Sequence, residues 1–299
     1  MSGFTDQQVP DQTGKVVLIT GGNAGIGFET AQVLADKNAR VIIGCRSEEK
    51  ARQAIAKIRE KVLNADVEFL PLDLSDLTSV EKAAGLLQKE PKLDVLINNA
   101  GIMMPPLEFT KQGIESQLGV NHVGPFLLTL KLLPLLEKSK QGRVVNTSSM
   151  AARFGEMYFD DLNADKGYNA TDRYGQSKLA NLLFSEELAQ RLKEKGSNTI
   201  SVCCHPGIAD TELSRHMPVW FQWITPLVRL MFNTPLQGAW PTLMAATSSE
   251  VRNGDTCGPA KRRQTAGPAK LGRIEKSSLC KEDQQRLWQD TVALSGVDF

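Results

Sequence analysis

Short apolar runs alternate with longer amphipathic stretches through the first two thirds of the chain. Strands that are buried on both faces lose the alternation of apolar and polar residues that a half-exposed strand shows. The runs therefore predict the strands of a buried sheet. They cover residues 15–20, 40–45, 67–71, 93–98 and 143–147, with a sixth containing Cys203 and Cys204.

The stretches between the runs have the period of α-helices. Residues 48–62 carry one apolar stripe on an otherwise charged helix, and residues 26–38 and 77–88 are interpreted in the same way. Strands joined by helices of this length pair in parallel through right-handed crossovers. The alternation predicts an α/β fold with a doubly wound parallel sheet. An antiparallel α+β fold would need Asn-Gly or Asp-Gly hairpin turns, which are almost absent between the runs.

The alternation ends after Gly207. Residues 214–240 contain three of the four Trp residues and three Pro residues. We therefore interpret residues 212–245 as an apolar lid over a substrate site, with core packing or a dimer contact as the alternative for its aromatic residues. The chain is then a single domain, 1–299, with its sheet-forming core in residues 14–211.

Residues 255–299 are interpreted as a C-terminal extension that ends in a helix over residues 279–294. Its basic residues are not interleaved with aromatic residues, so a nucleic-acid site is not expected. We expect them in a solvated loop, with weak attachment to anionic lipid as the alternative. These basic residues are Lys261, Arg262, Arg263, Lys270 and Arg273.

Composition narrows the class of protein only a little. With 299 residues and 41% hydrophobic side chains, the chain is long enough to bury a core without disulfides or a structural metal. Lys and Arg number 35 and Asp and Glu number 34, so no net charge points to nucleic acid. The five Cys and three His lack metal-ligand spacing, and no metal site is expected.

The sequence also carries signals about location. Residues 1–14 lack the basic and apolar segments of a signal peptide. The most apolar later stretch, residues 218–228, is about half as long as the ~20 residues that a membrane-spanning helix needs. We therefore expect a cytoplasmic protein, with peripheral attachment to a membrane surface as the alternative.

A glycine-rich turn, TGGNAGIG at residues 20–27, follows the first run and opens the first helix. Gly21 allows a tight turn, Gly25 allows the backbone to approach a pyrophosphate, and Gly27 lets the helix pack closely on the sheet. The N-terminus of the helix offers free N–H groups and a partial positive charge to phosphates. This context predicts a dinucleotide site, and its expected contacts in the turn are Gly21, Asn23, Gly25, Ile26 and Gly27.

The end of the second run indicates which dinucleotide is bound. An acidic residue there would bind the ribose 2′-hydroxyl of NAD, whereas this chain has Arg46, which can pair with the 2′-phosphate of NADP. NADP is therefore favoured over NAD, with a solvated residue at a helix start as the alternative for Arg46. Asp73 and Leu74, after the third run, are expected near the adenine, with a helix cap as the alternative for Asp73.

Tyr174 and Lys178 are four residues apart at the start of a predicted long helix, so their side chains share one face. A free phenol has a pKa near 10 and exchanges protons poorly at neutral pH. A nearby ammonium, together with the positive nicotinamide ring of an oxidised cofactor, favours the phenolate and lowers that pKa. The pair is therefore a candidate general acid/base, although a Tyr and a Lys at this spacing also occur by chance in many helices.

Further candidates lie at or just beyond the carboxyl ends of the later runs, where open parallel sheets bind ligands. Their clustering at one predicted edge strengthens the case for a site there. They are Asn98, Ala100 and Gly101 after the fourth run, Asn121 in the following helix, Ser148 and Ser149 after the fifth run, and Pro206, Gly207 and Thr211 after the sixth.

With these motifs, the first two thirds of the chain resemble the short-chain dehydrogenase/reductase family, whose members have a Rossmann-type sheet. The resemblance implies that Tyr174 is the general acid/base, and that Lys178 binds the nicotinamide ribose and lowers the pKa of the phenol. It implies that Ser149, with the adjacent Ser148 as the alternative, binds the substrate oxygen, and that Asn121 holds a water molecule in a proton relay. The residues implied to meet the nicotinamide carboxamide are Pro206, Gly207 and Thr211.

One departure from the usual pattern points to a branch of the family. Ser149 precedes Tyr174 by 25 residues, which is longer than usual. The inserted stretch, RFGEMYFDDLNADKGYNATDR, resembles that of the retinol dehydrogenase-like branch, as do NNAGIM and HPGIADTEL. Light-dependent protochlorophyllide reductases share such an insert. Members of the retinol dehydrogenase-like branch act on retinoids, steroids and other lipophilic carbonyls with NADP(H).

The resemblance therefore implies an NADP(H)-dependent oxidoreductase that interconverts an alcohol and an aldehyde or ketone. A lipophilic substrate of the retinoid, steroid or xenobiotic kind is expected. The alternatives are a non-catalytic dinucleotide-sensing scaffold and an epimerase or dehydratase on the same fold. By analogy with the family, a homo-oligomer is a further expectation.

Overall fold

The computed structural model describes residues 3–208, 233–272 and 280–299, in which eight strands form one sheet. The strands are β1 Val16–Thr20, β2 Arg40–Cys45, β3 Val67–Pro71, β4 Val95–Asn98, β5 Arg143–Thr147, β6 Ile200–Cys204, β7 Thr256–Lys261 and β8 Ala266–Gly272. Their order is β3-β2-β1-β4-β5-β6-β7-β8, and only the β7–β8 pair is antiparallel. The predicted Rossmann-type fold is confirmed, and its first six strands are the six apolar runs.

Seven helices in the described residues cover the two faces of the sheet. They are α1 Gly25–Asp36, α2 Glu48–Lys61, α3 Leu77–Leu87, α4 Ser116–Leu136, α5 Ala170–Lys195, α6 Pro235–Thr247 and α7 Lys281–Ser295. Side chains of α1, α2 and α6 form one apolar cluster on one face, and side chains of α3, α4, α5 and α7 form another on the opposite face.

Strand β1 shows why the runs lack an alternating pattern. Val17 and Ile19 point into the first cluster, whereas Leu18, between them, points into the second. All three side chains are completely buried. Because both faces of the strand need apolar side chains, every position of the run is apolar.

Helix α4 combines the length and hydropathy of a membrane span with the burial of a core helix. Of the 18 residues in its most apolar part, 83% are buried inside the protein. Gly119–Val123 form a single π turn within it, and a π turn inserts an extra residue and shifts the side chains around it. The π turn contains Asn121 and His122.

The prediction that the basic residues from Lys261 to Arg273 lie in a solvated loop is wrong, because most of this stretch lies in β7 and β8. Gly258, Pro259, Gly267 and Pro268 interrupt any alternating apolar pattern, so no strand could be recognised in the sequence. Phe4 pairs with Ala269 through two backbone hydrogen bonds of 2.7 and 2.8 Å and so covers part of the outer edge of β8. The basic side chains Lys261, Arg262, Arg263 and Lys270 are nonetheless exposed, whereas Arg273 lies outside the described residues.

The range predicted as a lid divides into two parts. Pro235–Thr247 form α6, which begins with a capping box between Thr234 and Gln237. Its Ala239, Leu243 and Met244 are buried in the core, so this part packs on the sheet and is not a cover. Residues 209–232, with the rest of the predicted lid and Thr211, lie outside the described residues.

The C-terminal helix α7, predicted over 279–294, packs against α4 and α5. The ring centroid of Trp288 lies 4.9 Å from that of Phe126 and 6.0 Å from that of Phe184. Thr291 Oγ1 lies 2.9 Å from Nε2 of His122, the neighbour of Asn121. Helix α7 therefore supports the segment of α4 that carries a predicted site residue.

Replacing Trp288 with Ala should destabilise the protein by about 3–5 kcal/mol, because the change leaves a large cavity between three helices. Leu294, on the same helix, is 36% exposed. The matched control Leu294→Ala should change the free energy of unfolding by less than about 0.5 kcal/mol. Urea unfolding of both variants measures the difference, and equal effects would contradict the packing described for α7.

Candidate active site

The glycine-rich turn between β1 and α1 leaves no room for side chains. Gly21 and Gly25 have φ angles of +68° and +55°, in the left-handed region that favours glycine. A Cβ on Gly27 would lie 2.4 Å from the carbonyl oxygen of Gly21 and 2.5 Å from Nδ2 of Asn99. The first turn of α1 is thus held directly against the end of β1.

The N-terminus of α1 differs from those of its neighbours in its capping. Its N-cap residue is Ala24, which makes no side-chain capping bond. By contrast, α2, α3 and α5 are capped by the side chains of Ser47, Asp76 and Asn169. The first-turn N–H groups of α1 are therefore left without a side-chain acceptor, which suits the binding of phosphate oxygens.

The loop after β4 is locked against this turn by two residues outside the predicted set, Thr20 and Asn99. Thr20 Oγ1 accepts hydrogen bonds of 3.0 Å from the backbone N–H groups of Asn99 and Ala100. Asn99 Nδ2 donates to the carbonyl oxygen of Thr20 at 2.9 Å. The signal in the sequence is Thr20, a hydroxyl residue directly before Gly21, together with Asn99, the second of two adjacent asparagines.

The side chain of Asn98 joins elements beneath the predicted cofactor site. Its Nδ2 donates to Thr129 Oγ1 and to Asn146 Oδ1, both at 2.9 Å, and the side chain is buried. It therefore joins β4 to α4 and β5 beneath the loop. Any contact of Asn98 with a cofactor would have to come from its backbone.

Ser148 and Ser149 are distinguished by their hydrogen bonds. Ser148 Oγ donates to the carbonyl oxygen of Lys178 at 2.7 Å, which anchors β5 to helix α5. Ser149 lowers the pKa of the Tyr174 phenol, and its Oγ accepts from the N–H of Ala151 at 3.2 Å. The geometry therefore favours Ser149 as the serine that acts together with the phenol.

Lys178 lies behind Tyr174 and is almost completely buried. Its Nζ is 5.9 Å from the centre of the Tyr174 ring and donates to the carbonyl oxygen of Thr147 at 3.3 Å. A Cβ on Gly101 would lie 3.2 Å from this Nζ and 3.0 Å from Oδ1 of Asn121. Because Gly101 has no side chain, the ammonium of Lys178 and the amide of Asn121 can both lie close to its Cα.

Asn121 uses its amide to hold that loop. Its Oδ1 accepts from the N–H of Ile102 at 2.7 Å, and its Nδ2 donates to the carbonyl oxygen of Ile102 and to Ser177 Oγ, both at 2.9 Å. The π turn of α4 aims the side chain at this loop. The side chain of Asn121 therefore holds this loop against α5, and the water molecule that the resemblance predicts at Asn121 stays a prediction.

Burial acts on the pKa values of both groups in the free protein. Burial raises the pKa of the Tyr174 phenol, and Ser149 opposes this only in part. Burial also lowers the pKa of Lys178, to about 8. The lowering of the phenol pKa that the sequence predicts includes the positive nicotinamide ring of an oxidised cofactor, and it stays a prediction.

The remaining predicted residues lie at the same edge of the sheet. Arg46 is exposed just after β2, and Leu74 is buried. The Asp73 carboxylate accepts from the N–H of Ser75 at 2.9 Å and closes a turn, while the N-cap of α3 is Asp76. Gly207 has a φ of +72° in the segment that follows β6.

Comparison with known proteins gives a consistent family. The family model of the short chain dehydrogenase matches residues 15–220. Human Retinol dehydrogenase 11 is 45% identical over 245 residues, which cover 81% of this chain and 76% of that protein. Human Retinol dehydrogenase 12 is 40% identical over 299 residues, which cover 98% of this chain and 89% of that protein.

Solved structures agree with this family. The crystal structure of an uncharacterised protein from Mycobacterium paratuberculosis is 35% identical, with a TM-score of 0.81 and coverage of 100% of this chain and 99% of that chain. A short chain dehydrogenase from Shigella flexneri, complexed with NADP, is 25% identical, with a TM-score of 0.66 and coverage of 83% and 98%. This chain therefore belongs to the short-chain dehydrogenase/reductase family of oxidoreductases, in its retinol dehydrogenase-like branch.

Proposed function

We propose that this enzyme uses NADP(H) to interconvert an alcohol and an aldehyde or ketone, and that its substrate is lipophilic. The observation that carries the proposal is the buried Tyr174 phenol, which Ser149 influences and which has the buried ammonium of Lys178 5.9 Å from the centre of its ring. Similarity to proteins named retinol dehydrogenases supports the substrate class. A related dehydrogenase in complex with NADP supports the cofactor.

The residues at the carboxyl edge suit a dinucleotide. The turn has no space for a Cβ at Gly27, and α1 lacks a side-chain cap at the point where a pyrophosphate would bind. The exposed guanidinium of Arg46 suits a 2′-phosphate. The other residues proposed to hold NADP(H) are Gly21, Asn23, Gly25, Ile26, Asp73, Leu74, Ala100, Gly101, Tyr174, Lys178, Pro206 and Gly207, together with the backbone of Asn98.

The proposed reaction is the reduction of a carbonyl group or its reverse. When bound, NADPH supplies a hydride for the carbonyl carbon. Ser149 and Tyr174 donate hydrogen bonds to the carbonyl oxygen, where negative charge develops. Tyr174 then transfers its phenolic proton to that oxygen, and the ammonium of Lys178 stabilises the phenolate that remains.

The lipophilic character of the substrate is proposed from the similarity to the retinol dehydrogenases alone. A cytoplasmic location, attachment to a membrane surface and assembly into homo-oligomers stay predictions of the sequence.

The activity is tested by following NADPH oxidation with aldehydes and ketones graded by chain length and ring content. Reduction should be measurable and should improve with apolar size. Tyr174→Phe should lower kcat by about 100-fold or more, because it removes the proton donor. Tyr158→Phe is the matched control and should stay within about threefold of wild type. A fully active Tyr174→Phe enzyme would exclude this mechanism.

The proposed role of Arg46 gives a separate prediction about the cofactor. Arg46→Ala should raise the KM for NADPH by about 10- to 100-fold, because a charge-assisted contact with the 2′-phosphate is lost. The KM for NADH should stay nearly constant. Arg52→Ala, on the exposed face of α2 beside Glu48, is the control. Equal effects on both cofactors would show that Arg46 does not select the phosphate.

A further inference from the structure

The tip of the β7–β8 hairpin lies at the same edge of the sheet as the proposed active site. Because β7 runs parallel to β6, both strands end at this edge. The tip consists of Arg262–Gln264, whose three φ angles are +51°, +55° and +69°. Side chains with a Cβ rarely adopt this left-handed conformation, and three in succession require surroundings that hold them there.

The backbone of the tip packs against the segment that follows β6. The N–H of Ile208 donates to the carbonyl oxygen of Thr265 at 2.9 Å. A Cβ on Gly207 would lie 2.4 Å from the same oxygen and 2.8 Å from Cγ of Pro259. The segment that would face the nicotinamide therefore has no freedom to move towards the hairpin.

Gln264 joins this segment to the turn that begins at Ser149. Its Oε1 accepts a hydrogen bond of 3.0 Å from Arg153 Nη2, at the end of the short helical turn Met150–Arg153. The same oxygen lies 3.2 Å from Nε2 of His205, which directly precedes Pro206. One amide oxygen thus contacts both segments on which the proposed reaction depends.

The acceptor character of this oxygen fixes the tautomer of His205. A carboxamide oxygen only accepts, so Nε2 of His205 must carry the hydrogen. His205 is buried, and burial lowers its pKa to about 4, while Gln264 raises it and the charge of Arg153 lowers it further. The ring is therefore neutral at physiological pH and donates to Gln264.

We propose that Gln264 is a positioning residue that fixes the Ser149 turn relative to residues 205–208. This role rests on the proposed function, since it matters only if Ser149 and the segment after β6 act on one bound substrate and cofactor. The left-handed backbone of Arg262–Gln264 then allows the hairpin to place the Gln264 side chain between the Ser149 turn and residues 205–208. A purely structural role for the hairpin would require only its strand pairing.

The kinetic test compares Gln264→Leu with Gln264→Glu. Gln264→Leu removes the hydrogen bonds with Arg153 and His205 and should lower kcat by about tenfold, because small displacements of catalytic groups have large effects. The dissociation constant for NADPH, measured by fluorescence, should change by less than about threefold. Gln264→Glu keeps an acceptor for Arg153 and should retain kcat within about threefold.

Arg263→Gly is the control at the same tip, since glycine adopts a positive φ without strain. It should keep wild-type kcat and thermal stability or slightly raise the latter. Wild-type kcat in Gln264→Leu would overturn the proposal. So would a loss of kcat in Gln264→Glu that equals the loss in Gln264→Leu.

A second measurement does not depend on activity. The chain has three His residues, so nitrogen-15 NMR can assign His205 by its loss in His205→Asn. Wild type should show the Nε2–H tautomer, Gln264→Leu should lose that preference, and Gln264→Glu should raise the pKa of the ring. An unchanged His205 signal in both variants would overturn the contact. Absence of carbonyl reduction in wild type, with the NMR changes present, would instead reject the proposed function.

Discussion

Two ionisable side chains are buried one helical turn apart, and much of the site depends on that burial. Lys178 is held by the carbonyl oxygen of Thr147, at the end of β5, and Gly101 leaves space for its ammonium. Tyr174 lies on the same helix, and Ser149 lowers the pKa of its phenol. Burial favours the neutral phenol, which is the form that gives a proton in the reduction of a carbonyl.

The rest of the fold keeps Tyr174 and Lys178 in position relative to the loop after β4. Thr20 and Asn99 fasten the loop after β4 to the glycine turn, and Asn121 fastens the next residues of that loop to α4. Helix α7 in turn supports the π turn through Thr291 and His122. Polar side chains therefore position the backbone on which a dinucleotide would lie, and the apolar clusters position the polar side chains.

The sequence predicted the features that depend on local pattern. Continuous apolar runs marked six strands, and glycine spacing marked the turn. It missed β7 and β8 because their Gly and Pro residues interrupt any alternating pattern. It favoured Ser149 over Ser148 only through the resemblance, because adjacent serines differ in the direction of their side chains. It also could not show that burial raises the pKa of Tyr174 in the free protein, because the extent of burial is a tertiary property.

The most direct test of the buried pair is the pH dependence of a single turnover. Preformed enzyme–NADPH complex is mixed with excess aldehyde between about pH 6 and about pH 10, and the rate of NADPH oxidation is recorded. The account predicts a constant rate at neutral pH and a fall centred near pH 8, where Lys178 loses its proton while Tyr174 keeps its own. The fall should be absent in Lys178→Met. A wild-type rate that rises through this range would contradict the account.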